Sequence, residues 1–140
     1  MIEENWTEFK IGNKQKSLQL MGKTHTHEAV AFCQFFNASL VLPRSERENT
    51  DLYNAFLALG INGGALDGND AAKEGEWVDS AGQPLTYTNW RPGEPSNSSK
   101  KNYLTWYLSE GKGQWSTAQR CSTCMAYVVC ERPVKSKVIS

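Results

Sequence analysis

Carboxylates, tryptophans and prolines crowd one stretch of this chain. Asp70, Glu74, Glu76, Trp77 and Asp79 lead into Thr88-Asn89-Trp90-Arg91-Pro92-Gly93-Glu94-Pro95-Ser96. Oxygen-bearing side chains are what a hard cation takes as ligands. Loops longer than roughly 12–15 residues in a compact domain are usually functional or disordered. Aromatics and prolines interleaved with turn residues argue for order, so this loop is expected to be the working part. Asp67-Gly-Asn-Asp70 has the opening of an EF-hand calcium loop, but Ala72 stands where its glycine belongs and Val78 where its glutamate belongs. That reading fails. Asp70, Glu74, Glu76 and Asp79 read most simply as a solvated acidic face.

Other chemistries find less support. No Ser/His/Asp or Cys/His set and no glycine-rich phosphate loop can be assembled, which points away from an enzyme. Four cysteines at 33, 121, 124 and 130 allow three pairings. A bridge from Cys33 to Cys130 would close a loop of about 100 residues, worth about 4–5 kcal/mol in the chain-entropy model, and would suit an extracellular module. Cys121-Ser-Thr-Cys124 could form half a zinc site with His25 or His27, but the histidines read better as residues at a helix start.

The elements that must position the loop are legible in part. At 140 residues with zero formal net charge, the chain is one domain with no basic nucleic-acid footprint. No apolar run reaches the roughly 20 residues of a membrane span. The opening Met1-Ile-Glu-Glu-Asn-Trp6 is acidic and lacks an apolar leader. Three acceptor triplets, at Asn5, Asn37 and Asn97, are compatible with a secreted glycoprotein. A first helix follows Thr24 or Thr26, with Ala29, Phe32, Cys33 and Phe36 on one face. A second starts at the capping box Ser45-Glu-Arg-Glu48, buries Leu52, Ala55, Phe56 and Leu59, and stops at Gly60. Short strands are expected at 6–10, 16–21, 77–78, 104–108, 114–115 and 125–130. Alternation puts Leu104, Trp106 and Leu108 on the core face and Tyr103 and Tyr107 outward beside the loop. Trp77 and Trp90 read as buried anchors of the loop base. The class is α+β.

Taken in order, these pieces resemble the C-type lectin-like domain family. The matching pieces are Glu28-Ala-Val-Ala-Phe-Cys33, Ala38-Ser-Leu-Val41, Ser45-Glu-Arg-Glu-Asn49, Asn69-Asp70 with Lys73-Glu-Gly-Glu-Trp77, Leu85-Thr-Tyr-Thr-Asn-Trp90, Gly93-Glu-Pro-Ser96, Trp115, Cys121 and Tyr127-Val-Val-Cys130-Glu131. The similarity covers residues 6–132. It implies two helices flanking small antiparallel sheets, a long ligand-binding loop, chain ends close together, a Cys33–Cys130 bridge and a cis Pro95. The single domain is expected over 1–132, with a flexible tail at 133–140.

In sugar-binding members, calcium beside that proline carries the sugar. Glu94 matches the first calcium ligand; Ser96 replaces an amide or acid, Asn102 aligns near a glutamate, and Ser116 and Thr117 replace an Asn-Asp pair. Asp70 and Glu74, with Asn97 and Asn102, match a second, thinned site. Cys121 has lost its family partner and Cys124 is extra, so they pair within a turn or with another chain. The expected function is a secreted lectin that binds glycans or glycoproteins through Glu94, Ser96, Asn97, Asn102 and Tyr103, with calcium dependence weak or lost. Asp70, Glu74, Glu94 and Asn102 are the candidate metal ligands, and a homodimer, linked through Cys121 or Cys124, is expected. The alternative is a lectin-like fold turned to calcium-independent protein–protein recognition.

Overall fold

The computed structural model describes residues 6–96, 99–107 and 113–134, and the side chains of all of these except Tyr107. Asn5, Asn97, Leu108 and the expected tail from residue 135 onward lie outside the described residues. A four-stranded antiparallel sheet is built from β1 (Thr7–Ile11), β2 (Lys14–His25), β3 (Ser39–Leu40) and β7 (Met125–Pro133), in the order β1-β2-β7-β3. A second sheet has the order β4-β5-β6, from β4 (Gly63–Asn69), β5 (Tyr103–Tyr107) and β6 (Trp115–Ala118). Between them in sequence lie α1 (Ala29–Phe35), preceded by a 3-10 turn over Thr26–Glu28, and α2 (Glu46–Ala58). β2 pairs with β7 from Lys16↔Pro133 to His25↔Met125, which brings the two ends of the domain together.

Both helices follow from local sequence. Ser45 accepts a 3.1 Å bond from the Glu48 N–H, half of the expected capping box. The other half shifts by one residue, because the Glu48 carboxylate accepts from the Arg44 N–H at 2.9 Å. α2 buries Leu52, Ala55 and Phe56. Its end is a Schellman turn, with Gly60 at φ 81° and N–H···O bonds from Gly60 to Leu57 and from Ile61 to Phe56. Phe56 meets Trp106 at 5.2 Å in a core that also holds Leu18, Val41, Leu52, Leu104, Trp115 and Val129. α1 closes a smaller cluster through Ala29 and Cys33, and Cys33 is bridged to Cys130 of β7.

Three strands departed from expectation. β3, only two residues long, was not foreseen. Nor was β4, because Gly63-Gly-Ala-Leu-Asp-Gly-Asn69 is poor in strand-favouring residues. Packing explains its composition. A Cβ on Gly64 would sit 2.9 Å from the Tyr127 carbonyl oxygen, and one on Gly68 would sit 2.9 Å from Leu104. The expected strand at 77–78 reduces to single bridges from Val78 to Asn69 and to Pro84.

Candidate functional site

Between Asn69 and Asn102 the chain leaves the second sheet and returns to it, and two roots hold this excursion. At the first, Asn69 and Val78 exchange backbone hydrogen bonds of 2.9 Å, and the Leu85 N–H donates to Trp77 O at 3.1 Å. At the second, the Trp115 N–H donates to Asn89 O at 2.7 Å and the Arg91 N–H to Trp115 O at 2.8 Å. Aromatic rings join the roots: Trp77 meets Trp90 at 5.1 Å, Trp90 meets Trp115 at 6.0 Å, and Tyr87 meets Trp115 at 5.7 Å. Trp77 is buried as expected of an anchor and Trp115 is buried too, whereas Trp90, expected to be buried, is half-buried.

Sequence reasoning assigned no role to Asn49, which stands on the buried face of α2. Its Oδ1 accepts from the Trp115 indole at 2.8 Å, while its Nδ2 and that of Asn89 converge on Gly113 O at 3.1 and 2.9 Å. The available signal was a polar residue in the apolar stripe ahead of Leu52 and Phe56. A buried amide there needs partners.

Glu94 follows the second root, half-buried, joined to Pro95 by a cis peptide bond. The Thr117 hydroxyl donates to Glu94 Oε1 at 2.8 Å, and Arg91 makes a long 3.4 Å contact from its guanidinium to Ser116 Oγ. Ser116 and Thr117 are both buried. The structure therefore joins Glu94 to Thr117 and Arg91 to Ser116, with the Glu94 N–H donating to Arg91 O at 2.9 Å. This set fits calcium poorly. A hard cation wants six to eight oxygens, carboxylates among them. Here one carboxylate already accepts a proton donor, and the neighbouring charge is a guanidinium.

The first half of the loop corrects the expectation of a solvated acidic face. Asp70 and Asp79 are only 2% and 5% exposed, although Glu74 and Glu76 do face solvent. Asp79 accepts from the backbone N–H groups of Ala81 and Gln83 at 2.9 and 3.0 Å and from Arg44 at 3.1 Å. Burial pushes its pKa up, but the Gln83, Arg44 and Ala81 hydrogen bonds outweigh that and hold it below the usual range. Asp67 on β4 is also buried, and burial holds its pKa above the usual range despite a 2.8 Å bond from the Ser80 hydroxyl.

Asp70 Oδ2 accepts from the Gly75 N–H at 2.9 Å, and its buried Oδ1 has no hydrogen-bond partner. Desolvation, then the Asp70 charge, push the Glu74 pKa up. These two acids are the better remnant of a cation site, yet among the described residues no group of three or more His, Cys, Asp or Glu could hold a metal.

The remaining candidates separate from Glu94. Asn102 serves the Asp70 side of the loop: its carbonyl accepts from the Asp70 N–H at 3.1 Å and its Nδ2 donates to Ser99 O at 2.9 Å. Tyr103 stands beside the first half of the loop, paired with Asn69 and lining a depression with Ser80, and not beside Glu94. In β5 and β6, Leu104 pairs with Thr117 and Tyr103 with Ala118, so the two-residue alternation puts Tyr103 on the sheet face opposite Thr117 and Glu94. Its ring meets His27 at 5.9 Å instead.

Cys121 and Cys124 bridge each other in the turn before β7. A covalent link to another chain through either sulfur would first require that bridge to open, and the zinc reading loses its thiolates. His25 is engaged as well, to Glu28 Oε1 at 2.8 Å and to Ser122 O at 3.1 Å.

Comparison with known proteins adds independent findings. The Lectin C-type domain family matches residues 22–132. A mannose-binding protein of Gallus gallus is 33% identical over 106 residues, covering 72% of this chain and 37% of that protein. The chain thus spans little more than a third of the length of that curated relative. Among solved structures, the mouse scavenger receptor C-type lectin carbohydrate-recognition domain superposes with a TM-score of 0.76 at 23% identity, covering 94% of this chain and 96% of that one. The cow CD23 C-type carbohydrate-recognition domain, solved in the presence of GlcNAc2Man3 oligosaccharide, superposes with a TM-score of 0.68 at 27% identity, covering 95% and 96%.

Proposed function

Because the chain belongs to the C-type lectin domain family, we propose that it is a secreted glycan-binding module. It recognises sugar hydroxyls at Glu94 and its neighbours, with weak or absent dependence on calcium. The family is one of carbohydrate-binding domains without enzymatic activity.

The observation that carries this reading is the 2.8 Å bond from the Thr117 hydroxyl to Glu94. It holds the carboxylate with one oxygen engaged and leaves the other as an acceptor for a sugar hydroxyl. Ser96 and Arg91 flank the position, and Asn97, outside the described residues, belongs to the same reading by sequence. Charge-assisted bonds of this kind are the strong ones in a polar site. Asp70, Glu74 and Asn102 would then order the loop and hold at most a loosely bound cation. Tyr103 is assigned no stacking role.

Secretion is supported by two disulfides, which persist in oxidising compartments, and no helix among the described residues is long and apolar enough to cross a membrane. The reading includes a non-covalent dimer, since multivalency raises weak single-site affinity.

The test is a glycan array read with calcium and with chelator. Sugar binding that survives chelation is expected, and Glu94→Ala should weaken it by about 1.5–3 kcal/mol, the worth of a hydrogen bond to a charged group, or about 10- to 150-fold. No sugar bound under either condition removes the reading. A protein partner retained after glycan removal and indifferent to Glu94→Ala would replace it with protein recognition.

A further inference from the structure

We propose that Asn37 carries an N-linked glycan whose first sugars settle into the surface depression that Asn37 lines. Asn37-Ala38-Ser39 is an acceptor triplet. Such triplets arise by chance, so the argument rests on where this one sits.

α1 ends in the same Schellman turn as α2: the Asn37 N–H donates to Gln34 O and the Ala38 N–H to Cys33 O, both at 3.0 Å. The residue at the left-handed position is Gly60 in α2, at φ 81°, but Asn37 in α1, at φ 58°. Asn37 is the one non-glycine residue at positive φ among the described residues. Termination of α1 alone would be served better by glycine, which has no Cβ to strain. Asparagine tolerates this conformation, and here its side chain has no hydrogen-bond partner among the described residues, so capping does not occupy it. Asn37 and Ser39 are both exposed, and Ser39 lies on β3, at the edge of the four-stranded sheet.

The surroundings suit a sugar. A depression of about 610 Å³ is lined by Gln34, Asn37, Ser39, Lys16, Glu131 and Pro133, and lies within the size range of small-ligand sites. It offers amide, hydroxyl and charged groups to a sugar's hydroxyls and acetamide.

The modification joins the Asn37 side-chain nitrogen to the anomeric carbon of an oligosaccharide carried on a lipid pyrophosphate. The carbon–oxygen bond to the pyrophosphate breaks with its electron pair, and the amide nitrogen loses one proton. The proposal shares only the secretory location with the function proposed above and needs no ligand-binding activity.

It is tested by expressing the chain behind a secretory leader in a glycosylating eukaryotic cell and mapping site occupancy by peptide mass spectrometry. Asn37 should be occupied in most secreted molecules and bare in Ser39→Ala, which leaves Asn37 and its turn in place. Trimming to a single N-acetylglucosamine should preserve a Tm several degrees above that of Ser39→Ala. A bare Asn37 in folded, secreted protein overturns the site. Equal Tm for the trimmed and Ser39→Ala proteins overturns the seating in the depression.

Discussion

Thr117 decides how Glu94 is used. A carboxylate at this position would repel Glu94 unless a cation lay between them, whereas a hydroxyl satisfies it by donation, at 2.8 Å. Thr117→Asp should therefore lower stability in chelator by about 1–3 kcal/mol, through the lost bond and the added like charge. Calcium at about a hundredfold over its Kd would return about 2.7 kcal/mol to a variant that binds it. Thermal melts of parent and variant, with calcium and with chelator, check this. A parent that already shows the same calcium-dependent rise would sink the idea that the threonine displaced the metal. The threonine was visible in the sequence as a departure from the family pattern; that its hydroxyl meets Glu94 was not, because 23 residues separate them.

At the scale of elements, the turn at Asp79 ties the loop to the segment before α2 through Arg44. Asp79 titrates below the usual carboxylate range when folded, so its contribution is full above the unfolded value of about 3.9. That contribution is lost as pH falls through the lower folded value. The cost of Asp79→Ala, about 1–3 kcal/mol, should thus be largest at neutral pH and shrink in acid. Asp67, with its pKa raised, works in the opposite sense. Its ionised form weakens the fold at neutral pH, and the penalty is relieved as pH falls through the raised value. Asp67→Asn should raise Tm at neutral pH, with the gain vanishing below about pH 4, where the wild-type carboxyl is protonated in both states. Melts between neutral and acid pH separate the two, and an Asp67→Asn gain that persists in acid would contradict the assignment to charge. Neither behaviour follows from an acidic loop read as solvated.

For the whole molecule, the Cys33–Cys130 bridge closes 97 residues, and the Cys121–Cys124 bridge spans only three. In the chain-entropy model the first is worth about 4–5 kcal/mol and the second about 2. Replacing Cys33 and Cys130 together with alanine should cost most of the stability of a domain this size. Replacing Cys121 and Cys124 together with serine should leave a folded protein with a lower Tm. Denaturant unfolding ranks the two, and equal losses would refute the loop-length argument.

The sequence by itself determined what local patterning and the order of motifs can carry. Two amphipathic helices with their caps, the α+β class and the burial of Trp77 and Trp106 were legible because each is written within a short window of chain, and the cis bond at Pro95 followed from the family resemblance that the order of motifs carries. Tertiary structure alone decided the rest. It made a strand of a glycine-rich segment, since only glycine lets β4 pass so close to Tyr127 and Leu104. It buried Asp70 and Asp79, turned Tyr103 away from Glu94, and closed Cys121 on Cys124. Periodicity tells which face of an element turns inward; what that face meets depends on segments remote in sequence, and those meetings exist only once the chain has folded.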